Sequence, residues 1–282
     1  MKKTLLLLLV LTLSFTGYSQ IKTPQPSPSG ALQQTVGLTT VSIEYSRPSM
    51  RGRTIFGELV PYGKVWRTGA NANTKFKISD GITIDGKRLN AGTYAIYTIP
   101  NAENWDVIFY ADTTNWGNPQ TWDDSKVALK TTAPVYALPM SIETFTMSLD
   151  SITSQSAVLG MYWENAYIGV PFTVPTDNKV LANINDVMNG NPTADDYFAA
   201  AVYYLQELKD INRAQEWMEK AMSMIEKPAF WQLRQQSLIY AKAGNKKAAI
   251  ETAKKSLAGA EAAGNADYVK MNTDSLKEWE GM

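Results

Sequence analysis

The spacing of apolar residues along the chain changes character near residue 178. Before that point it follows a period of two. Residues 38–45 (LTTVSIEY) place Val41, Ile43 and Tyr45 on one face and Ser42 and Glu44 on the other, the signature of a half-buried strand. Residues 74–79 (TKFKIS) repeat it. Asp85-Gly86 separates residues 82–85 from 87–89 and predicts a hairpin, because this dipeptide accepts positive φ in a tight turn. Residues 92–99 (GTYAIYTI), 105–110 (WDVIFY), 142–149, 157–164 (AVLGMYWE) and 167–174 add further strands. Eight or nine short strands with turn residues between them predict an all-β sandwich over residues 31–178. One helical turn is expected near 123–129.

Beyond Pro175 the pattern turns helical. Residues 179–188 can form a helix stopped by Asn189-Gly190-Asn191-Pro192, and helical runs follow at 193–209, 211–225, 229–243, 246–262 and 266–280. Thr193 is a natural N-cap, with Asp195 and Asp196 placed to favour the helix dipole. The runs Asp210-Ile211-Asn212-Arg213-Ala214 and Gly244-Asn245-Lys246-Lys247-Ala248 share a register that resembles the tetratricopeptide period. The expected fold class is therefore α+β in separate domains: an all-β sandwich, then an all-α tetratricopeptide-like module over 179–282. Such repeats hold peptides or helices in a concave groove, or serve as structural caps. A peptide or protein partner is the corresponding expectation for this module.

Residues 1–19 combine Lys2 and Lys3, an apolar run from Thr4 to Phe15, and small residues at Gly17 and Ser19. This predicts a secretory signal peptide cut before Gln20, too short to span a bilayer comfortably. No cysteine follows it, which argues against a lipoprotein anchor. The expected product is exported and soluble, in the periplasm or outside the cell, with no transmembrane segment after cleavage. Residues 20–30 (QIKTPQPSPSG) read as a mobile leader rich in proline and serine.

Composition narrows the chemistry. The chain has 282 residues, 44% hydrophobic and 19% charged, with equal numbers of basic and acidic side chains. That balance gives no global field to attract nucleic acid or an acidic membrane. Cysteine and histidine are both absent, which removes thiol nucleophiles, disulfides, histidine-based catalysis and the usual zinc, copper or iron sites. No cofactor or metal site is expected. Glu44, Glu58, Glu143 and Glu164 are available for carboxylate chemistry, but no spacing singles out a pair, so no catalytic residue is assigned.

The most loaded stretch is 45–73, YSRPSMRGRTIFGELVPYGKVWRTGANAN. It sets Arg47, Arg51, Arg53, Lys64 and Arg67 against one acid, Glu58, in a segment broken by glycine and proline. Guanidinium groups suit bidentate contacts to carboxylate or phosphate, and the backbone near Asn71 suits an anion-binding turn. The competing reading pairs the arginines with Glu44, Asp80, Asp85 or Glu164 as architecture. Tryptophans are the second feature. In strands they fill cores, whereas Trp116 and Trp122 lie in a loop-like run, DTTNWGNPQTWDD, where rings can stack on sugars. The candidate ligand-binding residues are Arg47, Arg51, Arg53, Trp66, Arg67, Asn71, Trp116 and Trp122.

Several motifs together resemble a known family. They are Tyr45-Ser46-Arg47-Pro48, Gly52-Arg53, Trp66-Arg67-Thr68-Gly69-Ala70-Asn71, Ala91-Gly92-Thr93-Tyr94 and Trp116-Gly117. Residues 27–174 are similar to a family of exported Gram-negative bacterial proteins known as domain of unknown function 2911. The resemblance implies a domain and brings no activity with it. The leading expectation is an envelope binding or scaffold protein with an arginine-rich surface for an anionic small molecule, a glycan or an envelope protein. The alternative is a carbohydrate-binding or carbohydrate-acting protein using exposed tryptophan and carboxylate.

Overall fold

The computed structural model describes residues 23–281; the expected signal peptide and the expected cut before Gln20 lie outside them. The chain divides into two compact units between Thr176 and Asp177.

The first unit is a sheet of nine antiparallel strands in the order β1-β2-β3-β6-β7-β8-β9-β4-β5. The strands are β1 (Ser29–Val36), β2 (Thr39–Ser46), β3 (Thr74–Ile78), β4 (Ile82–Ile84), β5 (Lys87–Leu89), β6 (Gly92–Pro100), β7 (Asn104–Tyr110), β8 (Val127–Asp150) and β9 (Ser156–Thr173). Period-two alternation is clean in β2 and β3, whose odd and even positions respectively are buried. Asp85 and Gly86 take φ of 49° and 71° between β4 and β5, the twist that a two-residue hairpin needs.

The sheet closes on itself through β8. Residues 127–134 of β8 pair with β7, and residues 135–150 pair with β9. Breaks in register between Ala137 and Ile142, and between Ile142 and Thr146, bend the strand there. The second half of the sheet then faces the first. Phe76 on β3 meets Phe172 on β9 at 6.3 Å, and Tyr45 on β2 meets Phe145 on β8 at 5.9 Å. The amide of Met147 donates to the Tyr45 hydroxyl at 3.0 Å. Between the layers lies one core of Val41, Ile43, Ile55, Phe76, Trp105, Phe109, Phe145, Trp163 and Phe172, among others.

Three details differ from the sequence expectation. Residues 157–164 and 167–174 were expected as two strands; they form the single strand β9, which bulges at Glu164 with φ of 53°. The first half of β8 and all of β1 are strands that the pattern does not announce. Their inward positions include small or polar residues such as Thr131 and Ala133, and Pro134 and Pro139 weaken the strand signal. The helical turn expected near 123–129 is a single 3-10 turn at Asp124–Lys126.

The second unit is helical: α1 (Thr176–Met188), α2 (Ala194–Gln206), α3 (Ile211–Ser223), α4 (Phe230–Lys242), α5 (Lys246–Ala262) and α6 (Ala266–Gly281). Thr193 and Asp196 form a reciprocal capping box at the start of α2. Asp210 and Asn245 cap α3 and α5. Small buried residues line the helix contacts, including Ala200, Ala201, Ala214, Ala221, Ala249, Ala253 and Ala260. No helix among the described residues is long and apolar enough to cross a membrane.

Candidate functional site

The connection from β2 to β3, residues 47–73, is an irregular loop anchored by buried side chains. Ile55 and Val60 are fully or almost fully buried, and Trp66 bridges to Thr98 of β6 through two backbone hydrogen bonds. The Glu164 carboxylate accepts from the amides of Ile55 and Phe56, and Glu143 accepts from the amide of Arg51. Two of the four carboxylates weighed for catalysis are therefore holding this loop.

The candidate tryptophans go to three different places. Trp66 turns inward. It stacks on Trp163 at 5.7 Å, stands edge-on to Trp105 and Phe145, and donates its indole N–H to the Gly69 carbonyl. Trp122 is half-buried against Tyr97 and Tyr110 on the outer face of β6 and β7, and its Nε1 donates to Asp124. Trp116 is 74% exposed.

The four arginines share one mode of attachment. Arg47 donates from Nε to the Phe145 carbonyl and from Nη2 to the Thr146 hydroxyl. Arg51 donates to the Pro26 carbonyl, and Arg53 to the carbonyls of Met50 and Ser49. Arg67 donates to the Asn71 carbonyl at 3.0 Å. Among the described residues none of the four forms an ion pair with a carboxylate. Neutral carbonyls orient these guanidiniums without cancelling their charge. Asn71, held at φ of 58°, uses its side-chain amide to donate to Gln25, Ser27 and Ser46. With Arg51, it fixes residues 25–27 of the expected leader, and Ser29 and Gly30 already belong to β1.

Part of this set converges on one place. A groove of about 470 Å³ runs over β1 and β2 and is lined in part by Gly30, Glu44, Ser46, Asn73 and Lys75. Arg47 borders it, since a Cβ on Gly30 would stand 2.9 Å from Arg47 Cδ. Asn71 borders it through Ser46. The loop carrying Trp116 is locked alongside: Asn115 O accepts from the Asn73 amide, and Gly117 O accepts from the Tyr97 hydroxyl. Gly117, at φ of 91°, lets the Arg67 guanidinium lie against the backbone, where a Cβ would come within 2.9 Å of Nη1.

Beneath this junction lies a polar cluster of Asn73, Tyr97 and Asn115. Asn73 is 3% exposed, and its Nδ2 donates to the Tyr97 hydroxyl. Its Oδ1 is buried without a hydrogen bond, and the Asn115 side chain also approaches the Tyr97 hydroxyl. A buried atom without a partner costs free energy unless something meets it. Burial also pushes the Tyr97 hydroxyl above its ordinary pKa, keeping it a neutral donor.

The acids of the same loop are committed locally. Lys126 at 2.9 Å, with Thr114, holds Asp112 far below the usual carboxylate range. Asp123 receives Ser125, and Asp124 receives Trp122. Among the described residues no group of three or more acidic side chains is placed to hold a metal ion.

Sequence reasoning singled out Arg47, Arg67, Asn71 and Trp116 but passed over Asn73, Asn115 and Lys75. The available signal was Asn73 itself, a polar residue at the mouth of a strand beside Thr74. No curated protein and no solved structure matches the chain. Residues 27–172, more than half of it, match a protein family of unknown function that ends before the helices. On that match, and with the sheet that those residues build, the chain belongs to the family DUF2911.

Proposed function

We propose that the β unit is the ligand-binding part of an exported, non-catalytic envelope protein, and that its ligand is an acidic glycan. The observation that carries this reading is the groove lined in part by Asn73, whose buried Oδ1 has no partner in the chain. A sugar hydroxyl can donate to an acceptor of this kind while accepting from a cation beside it. Arg47 and Arg67, oriented by neutral acceptors, and Lys75 favour an acidic substituent. They outnumber Glu44, the one acid among the groove-lining residues named above. Exposed Trp116 supplies a ring face for stacking.

The test is calorimetric titration of the chain from Gln20 onward with an oligogalacturonate and with a neutral oligosaccharide of equal length. The acidic sugar is expected to bind more tightly, and the more so at low salt. Arg67→Ala and Trp116→Ala should each weaken binding about tenfold, the scale of one lost charged hydrogen bond or one stacked ring. Equal affinity for the neutral sugar, or no effect of Trp116→Ala in a folded protein, rejects this reading.

A further inference from the structure

The helical unit contains a charge in an unexpected setting. Arg234, on α4, is 9% exposed. Its Nη1 donates to Ser275 Oγ at 2.9 Å and to Asn272 Oδ1 at 3.5 Å, both on α6 and both neutral. Asn272 passes the network on to Ser256 Oγ on α5, which donates to the Phe230 carbonyl. Among the described residues no carboxylate pairs with Arg234; its Nε and Nη2 donate to no group of the chain and keep contact with solvent. Burial lowers its pKa, yet a guanidinium does not give up its proton in a protein. A buried cation without a counter-charge is costly, and packing alone is better served by an apolar side chain of the same size.

The network opens onto a groove. Ser275, the arginine's closest partner, lines a cavity of about 540 Å³ together with Leu205, Leu238, Lys242, Lys246 and Trp279. Leu238 and then Lys242 follow Arg234 at successive turns of α4, and Trp279 follows Ser275 by one turn of α6. The groove therefore runs from Ser275, with the arginine behind it, over an apolar floor, to two exposed lysines that are in no ion pair among the described residues. Glu278 is the one acid in its lining.

We infer that this groove binds an acidic peptide segment, with Arg234 receiving a carboxylate of the partner at one end, an apolar side chain resting on Leu238 and Trp279, and a second acid meeting Lys242 and Lys246. The missing counter-charge of Arg234 is thus supplied by the partner. A carboxylate arriving along Ser275 finds Nη2 without an acceptor, and charged hydrogen bonds of this kind are the strong ones.

The experiment measures fluorescence polarisation with the full chain and a labelled hexapeptide bearing two central leucines between paired glutamates. A second peptide carries lysines in place of the glutamates. The acidic peptide is expected to bind and the basic one not. Arg234→Met should weaken binding at least about tenfold while melting at the same temperature or higher, because it removes an uncompensated charge. If Arg234→Met melts lower or does not fold, the exposed pair decides. Lys242→Glu combined with Lys246→Glu should abolish acidic-peptide binding in a folded protein. Unchanged binding in that double variant, or no binding by the unaltered chain, overturns the site.

Discussion

The two units of this chain fill their interiors in different proportions of ring and methyl. The sandwich is packed with rings: Phe56, Trp66, Trp105, Phe145 and Trp163 meet one another at centroid distances of 4.8 to 6.4 Å. The helical unit sets buried alanines between its helices and confines its rings to separate pairs such as Tyr204–Trp217 and Phe230–Tyr268. The difference follows from geometry. Facing sheets stand about 10 Å apart and need long side chains to span the gap. Helices come within about 8–10 Å axis to axis, and small residues permit the closer end of that range. The same residue type therefore carries different information in the two halves: a tryptophan in the sheet is first a spacer, and an alanine in the helices is first a contact.

The sharpest test of this contrast removes a spacer. Trp105→Ala, at a site 1% exposed, is expected to cost about 3–5 kcal/mol, measured by urea denaturation. A cost under about 1 kcal/mol would mean that the sandwich collapses readily around the gap. The complementary test adds bulk where helices touch. Ala253→Leu, at a fully buried position of α5, is expected to cost about 1–3 kcal/mol through overpacking. A neutral or stabilising result would show that the helices do not need small residues there.

The smallest expected effect is electrostatic. Lys209 at 2.7 Å and the Tyr203 hydroxyl hold the Asp177 pKa below its ordinary value. A carboxylate depressed in the folded state contributes stability above its unfolded pKa, near 3.8. That contribution is lost as pH falls through the lower folded value. Asp177→Asn should thus melt slightly lower than the parent at neutral pH, by about 1 kcal/mol or less. The two curves should converge under acid; a gap that persists at low pH would assign the effect to packing.

Legibility in the sequence followed the same physical lines. Strands β2 and β3 and the β4–β5 turn were readable because inward positions are large and apolar and because Asp85-Gly86 specifies its own backbone. Strand β1 was not, since Ser29, Gln33, Gln34 and Thr35 break its apolar pattern, and neither was the first half of β8, where Thr131 and Ala133 face inward without a hydrophobic signal. The helices were readable from their period and caps. Of the candidate site, the stretch 45–73 was visible as a concentration of cations. Its attachments were not, because Arg47, Arg51, Arg53 and Arg67 bind main-chain carbonyls, which every residue carries alike. Trp66 turned inward and Trp116 outward, a choice set by strand and loop contacts far away in sequence. Nothing in the sequence sets Arg234 apart from other helical charges, and only packing reveals that it lies inside.

Strand β8 carries one more consequence. A single run of backbone supplies hydrogen bonds to β7 with its first part and to β9 with its second. Neither layer can peel away without taking part of the other's ladder with it. The β unit therefore has no internal fault line, and partial opening offers little relief from the cost of full opening. To a protease, such a unit is all or nothing, cut at the pace of its global unfolding rather than nibbled from a loose half.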